Sequence, residues 1–206
     1  MSGQVAFRII NIGTLSMNKF WGETERVHPV SATCALLEAG GHRLLVDPSP
    51  HPEPLRSLLF DRTGLSPASV DAVFLTHWHG DHRFGIELFE GKPWLMAQAG
   101  LAEWRERSPE DARWIDRFHP AEERLPPGIE LYPTPGHTLG HHSLIADTRW
   151  GPLVVTGDAA MNVEFYEAGE GYHNSVDFEQ AAETIRRIKK AAALVIPGHG
   201  NLILNR

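Results

Sequence analysis

Thr76-His77-Trp78-His79-Gly80-Asp81-His82 is the stretch that decides how this chain is read. It packs three imidazoles and one carboxylate into positions 77 to 82. A neutral imidazole ligates zinc and similar cations through a ring nitrogen, and an aspartate can ligate or carry a proton. His137, Asp158 and His199 follow at wide intervals, in the contexts Thr134-Pro135-Gly136-His137-Thr138, Gly157-Asp158 and Pro197-Gly198-His199-Gly200. Glycine and proline beside each of them indicate turns. The pattern points to one metal centre assembled from distant parts of the chain, rather than to histidines solvated on a loop.

Each candidate ligand sits just after a strand-like run. Val70 to Leu75 leads into the histidine cluster, Ile129 to Tyr132 into His137, Leu153 to Val155 into Asp158, and Leu194 to Ile196 into His199. Four strands are therefore expected to deliver ligands from their carboxyl ends, where open α/β sheets tend to place their sites. Further outward, Val5 to Ile12 reads as a strand, and Thr33 to Glu38 with Arg43 to Val46 reads as a hairpin turning at Gly40-Gly41. Leu55, Leu58 and Leu59 at helical spacing predict a helix over Pro54 to Arg62, ending near Gly64. Ala97 to Arg107 reads as another helix, and Ser108 to Pro127 as a helix and loop at the surface. Asp177 with Gln180 three residues on has the form of a capping box, opening a helix whose buried face is Phe178, Ala181, Ile185 and Ile188. Arg186, Arg187, Lys189 and Lys190 near its carboxyl end read as a solvated face favoured by the helix dipole. Two such runs of strands and helices lie on either side of about residue 125. Unaided, these patterns support an α/β chain of 206 residues forming one domain.

The order and contexts of the ligand residues resemble the metallo-β-lactamase-fold superfamily of metallohydrolases, over nearly the whole chain. The resemblance implies a four-layer αβ/βα sandwich of two mixed β-sheets flanked by helices, spanning residues 1–206 as a single domain, with metals in a cleft at one edge. It also implies ligand roles: His77, His79 and His137 on one metal, Asp81, His82 and His199 on a second, and Asp158 bridging both. The implied cofactors are two divalent metal ions, zinc foremost, with manganese or iron as alternatives because such N/O ligand sets accept several cations. Asp81 takes the catalytic role, orienting a metal-bridging hydroxide and passing a proton to the leaving group. Asp47, in Leu44-Leu45-Val46-Asp47-Pro48, matches a position that supports the ligands from behind, and a carboxylate accepting a ligand's free N–H fixes its tautomer. Met17, Phe20 and Trp21 lie on a long loop that overhangs the metals in many relatives and can cover an acyl group. His173 lies in an interval that commonly supplies substrate contacts. His141 and His142 are secondary candidates through their closeness to His137, whereas His28, His42, His51 and His119 have no motif around them and read as surface residues.

The superfamily covers many reactions, so substrate identity does not come with the resemblance. The seven residues after His199 are too few for the helical region with which glyoxalase II binds its glutathione thioester, and no insertion matches the arms of the nucleic-acid-processing branches. Histidine at position 79 departs from the flavodiiron branch, and Asp158 departs from true β-lactamases. Acyl-homoserine lactonases share all seven ligands and often carry a tyrosine three residues after the bridging aspartate; here that residue is Met161, leaving Tyr166 or Tyr172 to substitute. The expected function is a dinuclear hydrolase of a small ester, lactone, thioester or phosphodiester, in a compact glyoxalase II or lactonase-like member. Two alternatives stand beside it: a mononuclear iron oxygenase resembling persulfide dioxygenase, and a non-catalytic binding module stapled by metal.

Composition narrows the partners. A net charge of −7 opposes attraction to nucleic acid and anionic membranes and favours a small-molecule substrate. The longest apolar runs, such as Ala191 to Ile196, have six residues, against about 20 needed to span a bilayer. Met1-Ser2-Gly3-Gln4 shows no basic region followed by an apolar one. Cys34 is the only cysteine, placed in a strand as a small buried hydrophobe, so no intrachain disulfide forms and a cytoplasmic location is expected.

Overall fold

The computed structural model describes residues 4–205, so Met1, Ser2 and Gly3 of the leader reading lie outside it. Two mixed sheets face each other. The first contains β1 (Ala6–Asn11), β2 (Cys34–Ala39), β3 (His42–Val46), β4 (Ala72–Phe74), β5 (Trp94–Met96) and β6 (Phe118–Pro120), in that spatial order. The second contains β7 (Ile129–Pro133), β8 (His142–Thr148), β9 (Gly151–Gly157), β10 (Leu194–Pro197) and β11 (Ile203–Leu204), ordered β11-β10-β9-β8-β7. Strands β3 to β6 run parallel, and β9 and β10 run parallel to each other. The change of sheet falls between β6 and β7, where the sequence divides.

Alternation along the strands sorts side chains into layers, because successive residues of a strand point to opposite faces. In β2, Ala35 and Leu37 join Leu44, Val46, Phe74, Leu144, Val155 and Ile196 in the core between the sheets. Cys34 and Leu36 face the other way, into a core beneath α1 (Pro52–Thr63), α2 (Gln98–Arg107) and α3 (Ala112–Ile115). Val154 and Val195 face outward to α5 (Phe178–Ala191), which follows the short α4 (Val163–Ala168). The result is the expected order of helix, sheet, sheet, helix.

Local chemistry explains most boundaries. The β2–β3 hairpin turns on Gly40 and Gly41, both at positive φ, a region open to glycine. Helix α1 ends on Gly64 in the left-handed conformation, as its spacing indicated. Helix α5 begins at Asp177, whose carboxylate accepts from Gln180 N at 2.9 Å, a cap that contributes about 1 kcal/mol. The return bond of a capping box is not made, because Asp177 N donates to Gly136 O at 2.9 Å. This ties the helix start to the His137 loop.

Three readings need correction. Phe178 is 54% exposed, because at the first turn of α5 it lines an open cavity with Met17 and His173 and lies outside the core cluster beneath the helix; Ala181, Ile185 and Ile188 are buried. The Ser108 to Pro127 segment is not all surface: it contributes β6, and Ile115, Phe118 and Ala121 are buried. Strands β5, β8 and β11 and helix α4 were not anticipated.

Candidate metal centre

All seven residues singled out from the sequence meet at one edge of the sandwich. The ligand-capable atoms of His77, His79, His137 and Asp158 lie within 4.8 Å of one another, and those of Asp81, His82 and His199 form a second such group. Strand β4 ends at the histidine cluster, and β7, β9 and β10 lead to His137, Asp158 and His199. Close packing enforces the meeting: a Cβ on Gly198 would lie 2.0 Å from Asp158 Oδ1, so only glycine fits between the last two ligand loops.

In the first group, His79 Nδ1 stands 2.9 Å from His77 Nε2 and 3.0 Å from His137 Nε2. Nitrogens bound to one zinc at about 2.0–2.1 Å are about 3.3 Å apart in a tetrahedron, so these nitrogens already converge to within a few tenths of an ångström of that spacing. A single ring proton can serve two of these nitrogens poorly; a cation at the convergence point serves all three. In the second group, His82 Nε2 is 3.0 Å from Asp158 Oδ1, yet the two are not aligned as donor and acceptor and both are buried without a hydrogen bond. His199 Nε2 lies 3.3 Å from the same oxygen and 3.5 Å from Asp81 Oδ2. Asp158 divides its carboxylate between the groups: Oδ2 faces His137 at 3.3 Å and His77 at 3.7 Å, while Oδ1 faces His82 and His199. Orphaned buried atoms aimed at shared points are what a pair of cations would satisfy.

Proton accounting fixes the ring tautomers. Thr76 Oγ1 donates its one proton to Asp47 Oδ2 at 2.9 Å, so it accepts from His77 Nδ1–H at 3.2 Å and leaves His77 Nε2 bare. His82 Nδ1 donates to the same Asp47 oxygen at 2.9 Å, and His199 Nδ1 donates to the carbonyls of Thr14 and Ser31 at 3.0 and 2.9 Å. Asp47, 1% exposed, thus reaches one histidine of each group, His82 directly and His77 through Thr76.

Burial and charge separate the groups electrostatically. Burial pushes the pKa of His77, His79 and His137 down, that of His137 to about 3, so all three rings are neutral. Burial is the largest influence on His82 and His199 and opposes their charge, but Asp158 together with Asp47 at His82, and together with Asp81 at His199, outweighs it, and both pKa values are raised. Asp158 itself, although burial resists its charge, is held well below the carboxylate range by His82, His199 and His137.

The overhanging loop divides. Met17 and His173 line a cavity of about 430 Å³ with Lys19, Phe165, Tyr172 and Phe178. Phe20 packs edge-on against Phe165, at 4.9 Å between centroids. Trp21 leaves this group: it lines a larger cavity of about 940 Å³ that touches the ligands only at His199, and its indole donates to Glu164 Oε1 at 2.9 Å. The smaller cavity is lined by none of the seven residues; the chain just after His173 meets the His137 loop where Val176 N donates to His137 O at 3.1 Å. Neither tyrosine is shown taking the place left by Met161, which is buried beside Leu15, Phe165 and Tyr172. Tyr172 donates its hydroxyl to Met17 O at 2.7 Å, and Tyr166 packs under α5. His28, His42, His51 and His119 are exposed. His141, by contrast, is fully buried and stacks on His77, with 5.0 Å between ring centroids. Sequence reasoning also missed Glu103, whose carboxylate clamps the turn after His137 by accepting from Leu139 N at 3.0 Å and Gly140 N at 2.6 Å.

A sequence profile of the metallo-beta-lactamase superfamily matches residues 28–199, a span that includes all seven residues. The chain belongs to this superfamily. An N-acyl homoserine lactonase from a Bacillus species is 30% identical over 152 residues, covering 68% of this chain and 60% of that protein. The chain thus spans about 60% of the length of that curated relative. Among solved structures, a Thermotoga maritima protein of metallo-beta-lactamase type superposes with a TM-score of 0.71 at 21% identity, covering 98% of this chain and 100% of that one. A dizinc quorum-quenching lactonase solved with the product N-hexanoyl-L-homoserine gives 0.68 at 16% identity, covering 95% and 90%. These structural likenesses establish the superfamily fold. Among the described residues no helix is long and apolar enough to cross a membrane.

Proposed function

We propose that the protein is a dinuclear metal-dependent hydrolase of a small ester or lactone, with thioesters and phosphodiesters as related substrates. His77, His79 and His137 would hold one cation and Asp81, His82 and His199 the other, with Asp158 available to both. The observation that carries this reading is the divided Asp158 carboxylate, one oxygen toward each group. When bound, two such cations supply a hydroxide near neutral pH and polarise the oxygen of the scissile group.

The chain's own residues do the rest. Burial keeps His77, His79 and His137 unprotonated and ready to ligate. Asp47 and Thr76 hold the ring orientations of His82 and His77. Asp81, 19% exposed, would orient a water, take up its proton and pass that proton to the leaving group. In the cavity that Met17 and His173 line, Phe165, Tyr172 and Phe178 offer an apolar wall for the acyl part of the substrate.

The lactonase name of the Bacillus relative supports an acyl rather than a nucleic-acid substrate, and the net charge of −7 agrees. The test compares hydrolysis of acyl lactones and small ester, thioester and phosphodiester reporters with cleavage of RNA, using protein of measured metal content. Turnover of an acyl reporter by protein carrying two metals per chain is expected. RNA cleavage that weakens steeply with salt, without acyl turnover, would overturn the substrate choice.

A further inference from the structure

Of the histidines in the first metal group, His77 has a partner for the nitrogen that faces away from the cation and His137 has none. His137 Nδ1 is buried and makes no hydrogen bond. If Nε2 of His137 ligates, as proposed above, Nδ1 carries the proton and lacks an acceptor.

His141 holds the complementary orphan. Ser143 Oγ donates to Thr156 O at 3.2 Å, so the 2.8 Å contact between Ser143 and Thr134 must use the proton of Thr134. Thr134 Oγ1 also accepts from Ser143 N at 2.9 Å. With its proton spent, it can meet His141 Nδ1 at 2.9 Å only by accepting, which puts the His141 proton on Nδ1. His141 Nε2 is then a bare acceptor, fully buried and without a partner. The two rings stand 6.4 Å apart between centroids and nearly perpendicular, and one water can join polar groups too far apart to bond directly.

We infer that His141 is a positioning residue for the first metal group: it backs the His77 ring by stacking and, through one buried water, accepts from His137 Nδ1–H. Its own placement is rigid. Glu103 clamps the intervening turn, His141 O accepts from Thr134 N at 3.0 Å, and a Cβ on Gly140 would lie 2.4 Å from Ala99 O. His142 N donates to Thr76 O at 3.1 Å, joining this strand to the residue that orients His77. An apolar ring could provide the stacking alone; it lacks the acceptor that the bare nitrogen supplies. Support of this kind changes metal affinity by about 10- to 100-fold when removed.

The inference rests on His137 being a metal ligand, so the tests separate the two. In the wild-type protein, nitrogen-resolved NMR should find His141 as the Nδ1–H tautomer; an Nε2–H tautomer would overturn the inference irrespective of any variant. His141→Phe keeps the stack and loses the acceptor, and His141→Gln restores a polar group near the position of Nε2. Against a chelator of known affinity, His141→Phe should hold first-site metal about 10- to 100-fold more weakly. Its cobalt-substituted form should show shifted ligand-field bands, and His141→Gln should recover part of both. Wild-type affinity and spectrum in His141→Phe would reduce His141 to packing, while a wild-type chain that binds no metal would sink the proposed centre instead.

Discussion

The two halves of the metal centre share a carboxylate and differ in almost everything else. The half built by His77, His79 and His137 is rich in nitrogen, and burial keeps its rings neutral. The half built by Asp81, His82 and His199 is surrounded by carboxylates, which hold its two histidines toward the protonated form. A cation entering the first half displaces no ring proton, whereas one entering the second must compete with protons. If both groups hold cations as proposed, the expected loading order is a tighter first site and a second site whose occupancy depends on pH.

The sharpest way to break this contrast is to delete a ligand from the first half. His77→Ala should lose first-site metal and at least about 10³-fold in turnover, because the lost stabilisation amounts to several kcal/mol. Elemental analysis beside activity checks it, and retention of two metals per chain would remove His77 from the ligand set. Asp81→Asn acts on the second half. It should lower turnover by about 10²-fold or more, with one metal retained and the fold intact. Near-wild-type turnover would deny Asp81 a catalytic part.

Asp47→Asn tests the support that reaches both halves from behind the ligands. Loss of its charge weakens the hold on His82 directly and on His77 through Thr76, so both metals should bind about 10- to 100-fold more weakly. A loss confined to the second metal would show that the Thr76 link carries nothing.

The pH response is gentler and opposite in the two halves of the metal-free protein. His137 has its folded pKa lowered to about 3 against about 6.5 unfolded, so its contribution to stability is full above pH 6.5 and falls as pH drops toward 3. His82 and His199, with raised values, contribute stability that is full below about 6.5 and is lost as pH rises through their folded pKa. In the metal-bound protein, lowering pH from about 8 to about 6 should therefore release the second metal before the first. Simultaneous release of both across that range would contradict the contrast.

What the sequence revealed and what it concealed follow from the same physics. Ligation demands particular side chains, so His77 through His82, His137, Asp158 and His199 stood out, and Asp47 with them. The supports were silent because many of them are backbone: the carbonyls of Thr14 and Ser31 that orient His199 can belong to any residue. Thr76, Thr134 and Glu103 are ordinary polar residues whose roles appear only once folding supplies their partners: Asp47 for Thr76, His141 for Thr134, and the Leu139 and Gly140 amides for Glu103. Strands β5 and β6, each of three residues, are too short to display a period. Phe178 misled because a helical stripe gives the apolar face of a helix but not where the core beneath it ends.

The central claim is that two cations share Asp158, and titrating metal-free protein with cobalt tests it most directly. Wild-type protein should bind in two steps of one ion each, the first tighter, and Asp158→Ala should weaken both steps. A single step ending at one ion per chain, or an Asp158→Ala variant that loses only one of the two, would contradict it.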